Sequence, residues 1–294
     1  MDDRAAFSLR PTRQLRRRKV VNRVMELLMV TAALLAVAAL VLVVVAVVSR
    51  GYNAISWDFF TQPPATGFFD SGGGIANAIV GTIVIVACAT VFALPLGILI
   101  AIYTHEFAPA RIRRFVSFAL DLLNGMPSIV IGIFVYGLIV LAHGQSAVAG
   151  GVALAILMLP LVARATQEVL ALVPSSLREA SFALGVSRWR TVVGVILPLS
   201  LGGILTGTTL AIARAAGETA PLLFTCALTT SQVSWDPREA LQSIPLTIFQ
   251  DLENPDPALH EQAWAAALVL MAFVLAVSVL SKVALARSRR KLSR

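Results

Sequence analysis

The chain is short of charge. Only 14% of its residues are Asp, Glu, Lys or Arg, against roughly a quarter in a soluble domain. Lysine is rarer still, with Lys19, Lys282 and Lys291 the only three. None ends the glycine spacing of a G-x-x-x-x-G-K-[ST] loop that could cradle nucleotide phosphates. If the protein uses ATP, another chain must supply the ATPase. The two cysteines, Cys88 and Cys226, fall in apolar runs and build neither a disulfide framework nor a ligand spacing. His105, His143 and His260 stand apart, which argues against a metal site because a ligand needs partners at ligand spacing. No Ser-His or paired-Asp constellation recurs in the apolar runs, so an intramembrane enzyme is the least favoured class. No metal, cofactor or catalytic residue is expected. What the chain has instead is hydrophobic residues, 57% of the total. They gather in several runs long enough to cross a bilayer core, about 20 residues each. An all-α integral membrane protein follows.

Six transmembrane helices are expected, over about 27–48, 75–103, 115–142, 147–163, 198–228 and 263–284. The first is too long for a signal-peptide core and no small-x-small cleavage site follows it, so it is expected to stay as a span. Pro95 is expected to kink the second. The mixed loop 50–74 carries Trp, Tyr and Phe suited to a membrane interface. The chain divides accordingly into a basic tail (1–24), the first span with its loop (25–74), a transport domain (75–286) and a second tail (287–294). Lys and Arg count eight in the first tail, three in 104–114, four in 164–195 and six at the carboxyl end, whereas the alternate loops hold only Arg50 and Arg238. By the positive-inside rule both termini are cytoplasmic in a cell (inner or plasma) membrane, and the acidic loop 229–262 is outside. The same distribution, set against anionic lipid, accounts for the net charge of +8 without nucleic acid.

Between spans four and five lies the polar interval "RATQEVLALVPSSLREASFALGVSRWRT". Ser176 followed by Glu179 reads as a capping box, predicting a short helix from Leu177, and Gly185 reads as its stop. Leu177, Ala180, Phe182 and Leu184 give this helix apolar surface but no core. Either a protein partner or the membrane surface could cover it. The series Glu179-Ala180-Ser181, three residues, Gly185, nine residues, Val195, then Leu197-Pro198 resembles the EAA loop of binding-protein-dependent ABC importer permeases. Ser181 stands for that family's second Ala and Val195 for its Ile. The resemblance implies that Glu179, Ala180, Ser181 and Gly185 belong to a loop that docks on a separate ATPase subunit.

Within the fifth apolar run sit Arg214 and Glu218. A charge at bilayer depth costs several kcal/mol unless it is paired or faces water. At i, i+4 spacing the two share a helix face, so that face is expected to point into the bundle or a pathway. The alternative is an ion pair that only fixes helix packing. Gly217 and Pro221 weaken the helix around the pair. Gly202, Gly203 and Gly207 allow a neighbouring helix to approach closely.

The stretches "ARAAGETAPLLF" (213–224), "GGGIANAIVGT" (72–82) and "GMPSIVIGIFVYG" (125–137) resemble phosphate (Pst-type) importer permeases, the A-type subunit more than the C-type. The resemblance covers about residues 55–285. It implies a MetI-like permease core with one extra N-terminal helix, and a substrate pathway that includes Arg214, Glu218 and Thr219. The implied partners are a second, C-type permease, an ATP-binding subunit dimer and an extracytoplasmic phosphate-binding protein. A permease of the same fold for sulfate or molybdate is the near alternative. A self-sufficient ion-coupled transporter is less favoured. It leaves the 176–190 helices without a partner, and internal inverted repeats are not visible by eye.

Overall fold

Lipid offers no hydrogen bonds, so a chain crossing it must pair every backbone N–H and C=O internally. Long runs of Ala, Val, Leu and Ile meet that demand as helices. In the computed structural model, which describes residues 13–64 and 73–292, every regular element among the described residues is helical. Residues 1–12 of the basic tail, 65–72 of the interfacial loop and the last two residues lie outside the described residues. The chain divides into two units, residues 1–49 and 50–294. The first is occupied by α1 (Arg13–Gly51), which ends just beyond it.

The second unit begins with a short helix, α2 (Trp57–Thr61), capped by the Ser56 hydroxyl, which accepts from Phe59 N–H at 3.2 Å. Helix α3 (Ala76–Ile102) runs through Pro95 without a break and ends in a π-turn, Tyr103–Phe107. After it come α4 (Ala110–Gly125), α5 (Ser128–Val135), a π-turn (Tyr136–Val140) and α6 (Leu141–His143). Helix α7 (Ala147–Ala171) is followed by two short helices, α8 (Ser175–Ala183) and α9 (Arg188–Thr191). A π-turn (Val192–Ile196) leads into α10 (Leu197–Ala216). Then come α11 (Leu222–Thr225), α12 (Ile244–Glu253) and α13 (Pro257–Leu292).

Among the described residues five helical stretches are long and apolar enough to span a membrane, and a sixth span is formed if α4 and α5–α6 are counted together. The pair is bent by 97°, so the span expected over about 115–142 is a broken one. The cause is Pro127. The residue before a proline is driven out of the α region, and Met126 is extended (φ −72°, ψ 136°). Two further boundaries move. Helix α7 continues eight residues beyond the expected end at 163, taking in the polar sequence "RATQEVLA". Helix α10 stops at Ala216, well short of the expected 228. The acidic loop 229–262 contains α12, whose first turn is buried.

The core lies between α3, α7 and α10. Ile85, Ala89, Leu154 and Met158 are buried where α3 meets α7, and a Cβ on Gly97 would lie 2.8 Å from Val162 Cγ1. Gly203 has the same role on α10, where a Cβ would meet the Val169 side chain of α7 at 2.6 Å. Gly207 faces Ala165 equally closely. At the other end of α3, Asn77 Nδ2 donates to Gln242 Oε1 at 2.8 Å and to the Thr230 carbonyl at 2.5 Å. Ile244 N–H donates to Thr82 Oγ1 at 2.9 Å. These bonds fasten the loop before α12 to the membrane helix. Near the end of α12, Asp251 Oδ2 is buried without a hydrogen-bond partner, and burial pushes its carboxyl up to about 7.

Candidate functional site

The bend between α4 and α5 opens a cavity of about 90 Å³. Leu123, Asn124 and Met126 line it from the end of α4, Ser128 from the start of α5, and Leu157, Met158 and Leu161 from α7. Ala211, Arg214 and Ala215 of α10 complete the wall together with Glu218. Both charges of the fifth apolar run therefore face a common cavity. Arg214 Nε stands 3.6 Å from Glu218 Oε1, an ion pair longer than a hydrogen bond. The Arg214 side chain is 59% exposed and that of Glu218 21%, so the guanidinium is the more accessible of the two charges.

The two do not share a helix. Arg214 occupies the last turn of α10, where a cation complements the helix dipole, and Glu218 lies beyond the helix end. Gly217 N–H bonds to the Arg214 carbonyl at 3.1 Å and Glu218 N–H to the Ala215 carbonyl at 3.2 Å, closing the helix with tight turns. Pro221 then sits at the cap position before α11, and its backbone packs on Gly132 of α5, where a Cβ would lie 2.7 Å from Pro221 Cα. The expected weak point is thus a full stop, and it aims Glu218 back at Arg214. Thr219 stands half-buried outside the cavity lining, and its carbonyl accepts from Leu222 and Leu223. Asn124, Met126 and Ser128 carry no signal of their own in the sequence. The Gly-Met-Pro-Ser break that brings them to Arg214 was the available clue.

The α8–α9 pair forms a second site. Gly185 has φ +75°, a left-handed conformation that glycine adopts without steric cost, and it separates the two helices as expected. The helix start differs. Helix α8 begins at Ser175 with Pro174 at the cap position and no side-chain cap, so the Ser176–Glu179 box does not form. Pro174 is extended (φ −57°, ψ 138°) and its carbonyl already accepts from Leu177 N–H, which places Ser176 inside the first turn. Glu179 and Ala180 are exposed, Ser181 is buried, and the large apolar side chains Phe182, Leu184 and Trp189 are exposed.

Residues 93–293, a span that takes in both sites, match the family described as binding-protein-dependent transport system inner membrane component. The chain belongs to this family. It is 39% identical over 280 residues to the phosphate transport system permease protein PstA of Yersinia pestis, covering 92% of each chain. Its fold is similar to that of a bacterial alginate ABC transporter chain (TM-score 0.63, 14% identity, 90% of this chain and 94% of the other). A chain of the inward-facing MetNI methionine ABC transporter is also similar (TM-score 0.57, 18% identity, 73% of this chain and 94% of the other). The expected MetI-like permease fold is therefore present, and the membership makes this chain a membrane-embedded permease component.

Proposed function

We propose that this permease carries inorganic phosphate inward as one half of a transmembrane pathway, powered by an ATPase on separate chains. The observation that carries the reading is Arg214 at the wall of a cavity among apolar helices, in a chain with 39% identity to a phosphate transport permease. Arginine suits the task. Its donor fork fits an oxyanion and its charge persists at any physiological pH. Glu218 behind it lowers the net attraction, and conduction requires that the anion also leave. Thr219 is assigned to the same pathway.

The pathway is completed by a second permease of the C-type, and an extracytoplasmic phosphate-binding protein delivers the anion. Both termini are placed in the cytoplasm of a cell-membrane protein by the Lys/Arg asymmetry. That orientation puts α8 and α9 at the cytoplasmic face, where their exposed apolar residues meet an ATP-binding subunit dimer. Glu179, Ala180, Ser181 and Gly185 form the element that couples the two. Closure of the ATPase dimer moves this helix pair, the membrane helices rock, and the cavity opens to alternate sides.

Purifying the chain with its second permease and ATPase, and measuring which oxyanion stimulates ATP hydrolysis in the presence of its binding protein, tests the reading. Stimulation by phosphate supports it. Stimulation by sulfate or molybdate with no response to phosphate would replace the substrate while leaving the permease role intact.

A further inference from the structure

If α8 and α9 meet the ATPase, their motion has to reach the cavity. Yet α8 buries only Ser181 among its nine residues, so its own apolar contacts give it little grip on the bundle. The grip comes from two arginines, and both end on neighbouring residues of one π-turn. Arg178 of α8 donates from Nη2 to Glu106 Oε1 at 2.8 Å and from Nε to the same oxygen at 3.2 Å. Its remaining donors reach the carbonyls of Val173 (2.8 Å) and Leu170 (3.1 Å) at the end of α7. The pair is enclosed, with 6% exposure at Glu106 and 18% at Arg178. Next to Glu106, Phe107 takes the guanidinium of Arg188, from α9, over its ring at 5.5 Å. Three residues earlier in chain order than Phe107, Thr104 Oγ1 accepts from Gln167 Nε2 of α7 at 2.7 Å.

A single turn of five residues, Tyr103–Phe107, therefore holds α7 through Thr104, α8 through Glu106 and α9 through Phe107. It closes by an Ala108 N–H to Tyr103 carbonyl bond of 2.8 Å, the i→i+5 pattern of a π-bulge, a form found frequently at functional sites. We propose that this π-turn is the joint through which the α8–α9 pair drives the membrane helices, with Glu106 as its positioning residue. Glu106 touches neither the anion cavity nor the exposed face of α8. It acts by making α8 move with α3 and α7, and α7 supplies three residues of the cavity wall. Arg178 has to be arginine for this, because four directed bonds to three acceptor groups need a planar fork that lysine lacks.

The inference rests on the ATPase-docking reading above, and the two can fail separately. The complete complex, with both permeases and the ATPase, is reconstituted in liposomes with phosphate and its binding protein, and phosphate uptake and ATP hydrolysis are measured together. In Glu106→Gln the complex is expected to assemble and hydrolyse ATP, while phosphate delivered per ATP falls about tenfold, the scale of coupling between linked sites. Phe107→Leu keeps an apolar side chain and leaves no buried charge unpaired. It is expected to lower the same ratio even if Glu106→Gln does not assemble. An unchanged uptake-to-hydrolysis ratio in the assembled variants overturns the joint. So does a loss of uptake and hydrolysis in the same proportion as assembly. Leu184→Asp, at the exposed residue that caps the end of α8, reports on the docking reading alone. If it leaves ATPase assembly intact, docking elsewhere is indicated; if it abolishes assembly while Glu106→Gln keeps the ratio, only the joint is wrong.

Discussion

Arg214 and Glu218 show what one residue pair can do when a helix ends between its members. The guanidinium is the more exposed of the two and the carboxylate stands 3.6 Å from it, so under the proposed reading an incoming anion would meet the cation first. Glu218 can then act in either of two ways. It can hold the guanidinium in place, or it can accept a hydrogen bond from the protonated oxygen of hydrogen phosphate, a donor that sulfate lacks at neutral pH. Glu218→Gln separates them in an uptake competition assay. The selectivity role lets sulfate begin to compete, whereas the positioning role slows phosphate uptake and leaves selectivity alone. Unaltered uptake and selectivity would remove Glu218 from both. The charged pair was legible in the sequence because two charges inside an apolar run are expensive. Asn124 and Ser128 were not, since their relevance depends on a bend that carries them to a helix nearly ninety positions further along the chain. Glu106 was equally hidden, as an ordinary acidic residue in what read as a short basic loop.

At the scale of elements, short connecting structures carry most of the consequences. Gly185→Val forces a β-branched residue into a left-handed turn at φ +75°, at a cost of about 1–2 kcal/mol. The variant is expected to insert normally and to co-purify with less ATPase, and undiminished co-purification would show that the α8–α9 turn is not what the ATPase reads. On α12, the raised pKa of Asp251 has a definite sign. Its carboxyl titrates near 7 in the fold against 3.8 ordinarily, so the folded state holds the proton more tightly than the unfolded one. The penalty is absent below pH 4, grows as pH rises, and is complete above pH 7. Asp251→Asn is therefore expected to flatten the melting temperature between pH 5 and 8, and to add about 1–2 kcal/mol of stability at pH 8 once partial exposure is allowed for. A parallel pH dependence in the two proteins would contradict it. Helix lengths were readable from apolar runs, apart from their ends. Proline and glycine decided those ends, at Pro127, Pro174, Gly217 and Pro221, where local backbone limits outweighed hydropathy.

Across the whole molecule, topology and transport stand on different supports. The proposed orientation rests on the Lys/Arg asymmetry alone. In a background without Cys88 and Cys226, Ser231→Cys in the exposed acidic loop is expected to react with an impermeant thiol reagent on intact cells. Ser187→Cys, between α8 and α9, is expected to react only after the membrane is opened. The reverse pattern would invert the chain and detach α8 and α9 from any cytoplasmic ATPase. The permease architecture was legible because six apolar stretches, an EAA-like series and a charge bias all agree. The cavity was not, because it is made by packing α4, α5, α7 and α10 together. The claim that this cavity passes an anion is tested most directly by phosphate uptake into liposomes holding the assembled complex with Arg214→Gln. Uptake is expected to be lost while assembly with the second permease and the ATPase is retained, and Arg214→Lys is expected to recover part of it. Normal uptake by Arg214→Gln, or a loss that tracks only the loss of assembled complex, would make Arg214 and Glu218 a packing pair and contradict it.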